Sequence, residues 1–136
     1  MPTQSADLAA VEASLTLAAE RAGDPAPHVY ATLFTRHPEL EALFHMDVDG
    51  GVRGAMLQTG FECLLDEAAG GTMAGFIVAA ERHHHDGYGV PEDLFDRFFE
   101  AIRDTIRDLV APAWSAETEA AWARVLAALA RHRLEG

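Results

Sequence analysis

The chain has 136 residues, 49% of them hydrophobic, and a formal charge of −12. This length suits one domain over residues 1–136, and no apolar run approaches the roughly 20 residues of a membrane-spanning helix. The acidic excess repels phosphate groups, so we expect neither nucleic acid nor a membrane as partner. All ten basic residues are arginine, which excludes Schiff-base lysine chemistry and the lysine of a P-loop. The lone Cys63 and an N-terminus without a secretory pattern predict a cytoplasmic protein.

Apolar residues recur at helical spacing along most of the chain. A loop rich in Asp and Gly is expected over Met46–Gly51, and Gly70-Gly71 ends the helix that follows it. In chain order the expected helices are Ser5 (as cap) to about Gly23, Pro27–Arg36, a short Pro38–Phe44, one through Met56 to about Ala69, Thr72–Asp86, Pro91–Val110 and Ser115–Leu134.

The helix from Pro91 shows the clearest amphipathic pattern. Its inward stripe comprises Leu94, Phe95, Phe98, Phe99, Ile102, Ile106, Leu109 and Val110. The pairs expected on its exposed face are Asp93/Arg97, Glu100/Arg103 and Asp104/Arg107. No window shows the alternation of apolar and polar residues that is typical of a half-buried strand, so an all-α fold of six or seven helices is predicted. One of these helices is very short, which does not suit an up-and-down four-helix bundle.

Three consecutive histidines, His83-His84-His85, stand near a predicted helix end. Neighbouring helical residues point about 100° apart, so all three cannot bind one metal ion. A solvated helix end, where imidazolium complements the helix dipole, is the alternative without a ligand. A small metalloprotein is another alternative, although only Glu81 stands four residues from His85.

Three anchors give the chain a family resemblance. The first runs from Val29-Tyr30 through His37-Pro38-Glu39 to Leu43-Phe44, the second is His85-Asp86-Gly87-Tyr88-Gly89-Val90, and the third is the pair of long last helices. In order and spacing they resemble the globin family, most closely the single-domain bacterial globins and the globin half of flavohaemoglobins. The resemblance implies a globin fold of about six to eight helices around a pocket for haem b, whose iron binds a diatomic gas reversibly.

By this resemblance, the proximal iron ligand is His85. With His85 as ligand, the residue one turn earlier, which should lie against the macrocycle, is Glu81; with His84 it would be Ala80. The interval from His85 to Phe95 matches the family and favours His85, and His84 stays as the alternative.

The resemblance also implies residues on the other walls of the pocket. Phe44 would stack on the haem, and the Tyr30 hydroxyl would donate to the gas ligand. Leu57 would lie over the iron, with Arg53 one turn earlier at the distal position, unless the preceding loop shifts Gly51 or Val52 into that place. Other expected lining residues are Val90, Phe95 and Phe98.

A haem propionate would require a cation, for which Arg53, Arg82 and His84 are candidates. Flavohaemoglobins place a Tyr after the proximal corner and a Glu near the end of the last helix; Phe95 stands at the Tyr position, and the chain ends at Gly136 before the Glu. No reductase domain is present, so redox turnover would need electrons from a separate protein. We expect oxygen binding and transport, or NO detoxification, by a monomer or homodimer; a haem-based or haemless sensor or interaction domain is the alternative.

Overall fold

The computed structural model describes residues 2–44, 46–86 and 94–132, with side chains for 6–44, 46–83 and 95–132. In this part of the chain there are six α-helices, one 310 helix and no strand. The elements are α1 (Pro2–Ala22), α2 (Ala26–Arg36), the 310 helix (Pro38–Phe44), α3 (Gly51–Ala68), α4 (Met73–Asp86), α5 (Leu94–Val110) and α6 (Ala116–Ala130). The predicted all-α class is confirmed.

Most predicted helix ends agree with the structure within a few residues. Ser115 caps α6 as expected, because its Oγ accepts a 3.0 Å hydrogen bond from the Thr118 N–H. The cap expected at Ser5 is wrong, since α1 already begins at Pro2. At the end of α3, Gly70 has φ +79°, a left-handed conformation that glycine adopts without steric cost.

One hydrophobic core joins all six α-helices. Helix α1 packs against α5 and α6, α2 packs against α5, and α3 packs against α4. Trp122 of α6 is fully buried and donates from Nε1 to Ser14 Oγ over 2.9 Å. Ser14 donates in turn to the Val11 carbonyl, so the polar atoms at the α1–α6 contact are satisfied.

Helix α5 packs against α1, α2 and α6. The predicted apolar stripe of α5 is confirmed where side chains are described, with five of its residues buried and two partly buried. The side chain of Leu94, in the stripe, and all of Asp93, in a predicted charged pair, lie outside the described residues. The buried five are Phe98, Phe99, Ile102, Ile106 and Val110, and the partly buried two are Phe95 and Leu109.

Asp104 corrects the expectation of a wholly solvated charged face on α5. It is buried, and Arg36 of α2 reaches it over 2.8 Å. The predicted partner Arg107 lies 3.3 Å away, and Arg103 approaches to 2.9 Å. Burial alone would raise the pKa of Asp104, but hydrogen bonds from Arg103 and Arg36 hold it below its ordinary value. Asp104 therefore ties α2 to α5 by a charge.

None of the helices in the described ranges combines the length and apolar character that crossing a bilayer requires.

Candidate functional site

A cavity of about 320 Å³ lies between α3, α4 and α5 and is almost entirely apolar. The α2 side contributes one leucine and the 310 helix one phenylalanine. The residues that line it are Leu33, Phe44, Val52, Ala55, Met56, Thr59, Gly60, Cys63, Ile77, Val78, Glu81, Phe95, Phe98 and Phe99. Such a space, with few polar groups, is typical of a small-molecule or cofactor site.

The α3 wall follows helical periodicity through Val52, Met56, Gly60 and Cys63. Gly60 lets α5 approach closely: a Cβ there would lie 3.3 Å from Phe98 Cε2 and 3.4 Å from Ile102 Cδ1. The absence of a side chain at this position therefore keeps the cavity and the α3–α5 contact in their present shape.

Aromatic rings close the cavity on the side of α2. The ring of Tyr30 lies 5.7 Å from those of Phe34 and Phe44 and 5.9 Å from that of Phe98, between centroids. Phe34 and Phe44 are also 5.7 Å apart. These spacings lie in the range of favourable aromatic pairs, so the rings pack together beside the cavity, which Phe44 and Phe98 line.

The hydroxyl of Tyr30 is buried and donates to the backbone carbonyl of Arg53 over 2.9 Å. Burial raises the pKa of this phenol well above its ordinary value. Tyr30 is therefore a neutral donor at physiological pH. A phenol can donate one hydrogen bond, and Tyr30 uses it on the Arg53 carbonyl of α3.

Asp47 organises the loop before α3. Its carboxylate accepts hydrogen bonds from the N–H groups of Val52 and Arg53, over 3.0 and 2.9 Å, and from Arg53 Nε over 3.0 Å. The Val52 N–H is the main cause of a pKa below the ordinary value for Asp47. Asp47 thus caps α3 and fixes the carbonyl that Tyr30 contacts.

Ile77, Val78 and Glu81 form the α4 wall, and Glu81 is exposed at its edge. The start of this helix is capped by Asp66 of α3, whose Oδ2 accepts from the Ala74 N–H over 2.7 Å. His83 is exposed. The side chains of His84 and His85, and all of Val90, lie outside the described residues.

Three of the predicted pocket residues, Phe44, Phe95 and Phe98, come together in the cavity wall. Tyr30 contacts this wall through its ring. On α3, however, the cavity is lined by Val52 and Met56, each one residue before the expected Arg53 and Leu57.

Leu57 is buried in the core instead, because one residue of helix corresponds to a rotation of about 100°. The side chain of Arg53, which was expected at the distal position or beside a haem propionate, binds Asp47. Arg82, another propionate candidate, is buried, pairs with Asp96 over 2.8 Å and lies over the Phe95 ring. Both arginines already have protein partners.

The cavity wall also includes three residues not predicted from the sequence, namely Met56, Thr59 and Cys63. They follow Val52 along α3 at intervals of four, three and four residues, so helical spacing from Val52 predicts them. Burial raises the pKa of the Cys63 thiol to about 11, with a further contribution from nearby carboxylates. Cys63 is therefore an uncharged part of the wall.

In the described part of the chain, no group of three or more His, Cys, Asp and Glu side chains could hold a metal ion. A globin family model matches residues 64–132, just over half of the chain. The chain belongs to the globin family. The globin match covers the end of α3 and the whole of α4, α5 and α6, including the α4 and α5 walls of the cavity. Neither the comparison with curated proteins nor the comparison with solved structures gives a match.

Proposed function

We propose that this globin is a single domain over residues 1–136 that binds one haem b in the cavity between α3, α4 and α5, with His85 as the iron ligand, and takes up a diatomic gas. The observation that carries the proposal is the apolar cavity with four phenylalanine rings, one from the 310 helix and three from α5, in a chain of the globin family. Apolar walls and aromatic rings fit a flat macrocycle.

The register of α4 supports His85 over His84. Position 85 follows Glu81 by four residues and Val78 by seven, and both of these line the cavity. Position 84 follows Ile77, which also lines the cavity, by seven residues, but it follows Ala80 by four, and Ala80 is exposed and outside the wall. One face of the helix therefore includes position 85 and the cavity-lining residues. Glu81, one turn before the proposed ligand, lines the cavity at its exposed edge.

Bound haem would supply an iron centre able to take up a diatomic gas. The protein groups around it would exclude water and place a donor. Val52 and Met56 are the α3 residues that would face the ligand, in place of Arg53 and Leu57. Tyr30 is a buried donor bonded to the first turn of α3, and its hydroxyl would donate to a polar ligand by leaving the Arg53 carbonyl.

The three sequence anchors favour a single-domain bacterial globin similar to the globin part of flavohaemoglobins. The lone Cys63 and the N-terminal sequence favour the cytoplasm as its location. Oxygen binding or transport is the role we propose, and NO detoxification is its extension when a separate reductase supplies electrons. A haemless sensor or interaction domain would have no need for Tyr30, Phe44 and His85 at family spacing.

Titration with haemin, followed by the visible spectrum, tests the proposal. We expect one haem per chain in the parent and in His83→Ala, a control whose side chain is exposed. His85→Ala should lose most of its haem. Unchanged haem content in His85→Ala would contradict the assignment, and the same loss in His84→Ala alone would transfer it to His84. A parent that binds no haem would contradict the proposed function.

A further inference from the structure

Glu81 is the one charged residue in the cavity wall formed by the described residues. Its neighbours in the wall on α4 are Ile77 and Val78, and the opposite wall on α3 includes Met56 and Cys63. Glu81 therefore places a negative charge at the edge of a largely apolar wall.

We propose that Glu81 sets the redox equilibrium of the haem in this pocket by favouring the ferric over the ferrous state. This inference rests on the proposed function. The ferric state carries one more positive charge than the ferrous state, and a carboxylate at the wall stabilises the more positive state. Because Glu81 is exposed at the edge of the cavity, water and salt screen part of this effect, so a modest shift is expected.

Contacts of residues other than Glu81 hold both ends of the described part of α4. Arg82 anchors the helix to α5 through Asp96, with its guanidinium 5.4 Å from the centre of the Phe95 ring. Asp66 caps the other end of α4. Removal of the Glu81 charge should therefore leave the wall in place and change mainly the electric field inside the cavity.

A lower reduction potential has a consequence for function. It makes the ferrous form harder to maintain and faster to oxidise, so of the two roles proposed above it favours NO detoxification over oxygen transport. It suits turnover in which an external reductant returns the electron each cycle, and NO detoxification with a separate reductase is of this kind.

Spectroelectrochemical titration of the haem-loaded protein tests the inference. Glu81→Gln and Glu81→Leu remove the charge, and Glu81→Asp retains it. Glu62→Gln is the matched control, because Glu62 is exposed on α3 and outside the cavity wall. The expected result is a shift of the redox equilibrium toward the ferrous form by about three- to tenfold in both neutral variants, or about 30–59 mV for one electron.

Glu81→Asp and Glu62→Gln should stay within twofold of the parent. The shift should shrink at high salt, since Glu81 is exposed at the edge of the cavity. Equal shifts in Glu81→Gln and Glu62→Gln, or a shift in Glu81→Leu alone, would overturn the inference and leave the haem site standing. A parent that takes up no haem would overturn both.

Discussion

The phenolic oxygen of Tyr30 and the carbonyl oxygen of Arg53 are 2.9 Å apart, and this hydrogen bond links the middle of α2 to the first turn of α3. On the other side of the same turn, Asp47 binds the N–H and the guanidinium of Arg53. The donor proposed for the gas ligand is thus already engaged by the protein. Its use on a ligand requires exchange of one hydrogen bond for another.

This exchange determines what Tyr30→Phe should do. Without the hydroxyl, the link to α3 is lost, at a cost of about 0.5–1.5 kcal/mol in the free energy of unfolding, measured with urea. Dioxygen bound in a haem pocket is polar, so its dissociation should become about tenfold faster, by stopped-flow spectroscopy. Carbon monoxide carries little charge, and its release should change less than twofold. Equal changes for the two gases would show a general loosening of the pocket, and an unchanged dioxygen rate would exclude Tyr30 as the donor.

Asp47 should make the stability of the protein sensitive to acid. Hydrogen bonds to the ionised carboxylate, above all from Val52, lower its folded pKa below the unfolded value near 3.9. Its contribution is therefore fully present above about pH 5 and is lost as the pH falls through the folded pKa. The difference in urea unfolding free energy between the parent and Asp47→Asn should be largest at pH 7 and should shrink below pH 4.

Asp108→Asn is the control for this experiment, because Asp108 is an exposed residue of α5. Its variant should differ little from the parent at either pH. A gap between the parent and Asp47→Asn that stays constant from pH 7 to pH 3 would contradict the capping role of Asp47.

The sequence predicts the helices well because the apolar period of each is strong and Pro or Gly marks most of the ends. The inward stripe of α5 and the Ser115 cap are examples. Spacing along one helix also brought Phe95 and Phe98 to one wall. These features depend on local sequence, where propensity and packing agree.

Contacts across loops were harder to predict. The register of α3 relative to the cavity is offset by one residue, because Asp47 fixes where the helix begins and no pattern in the sequence reveals that bond. The Asp66 carboxylate caps α4 at Ala74, eight residues further along the chain. The pairing of Asp104 with Arg36 joins two helices that are far apart in the sequence. Such polar contacts depend on tertiary structure, so the period of a single helix cannot show them.

Gly60 and Gly54 provide a matched pair on α3 with opposite expectations. A Cβ at Gly60 would lie 3.3 Å from Phe98, whereas a Cβ at Gly54 would meet nothing within 4 Å. Gly60→Val should destabilise the protein by about 1–3 kcal/mol through overpacking and should weaken haem retention. Gly54→Ala should stabilise it by about 0.5–1 kcal/mol, because alanine favours helix. Thermal unfolding of both variants measures this; a Gly60→Val variant as stable as the parent would show that α5 can move away.

Phe98 should be a major contributor to the stability of the core. It is 6% exposed and contacts Tyr30 and Phe99. Phe98→Ala should cost about 3–5 kcal/mol in unfolding free energy. Phe76→Ala is its control, since Phe76 is 75% exposed despite its apolar character, and its loss should change stability by less than about 0.5 kcal/mol. Similar costs for the two variants would contradict the placement of the α5 stripe in the core.

Chemical rescue by imidazole tests whether His85 is the ligand of a haem in the cavity. His85→Gly should bind haem weakly, and added imidazole should restore the ferrous spectrum of the parent by occupying the space of the missing side chain. His83→Gly should retain the parent spectrum without imidazole. A His85→Gly protein that keeps the parent spectrum without imidazole, or that imidazole cannot restore while His84→Gly is restored, would contradict the assignment of His85.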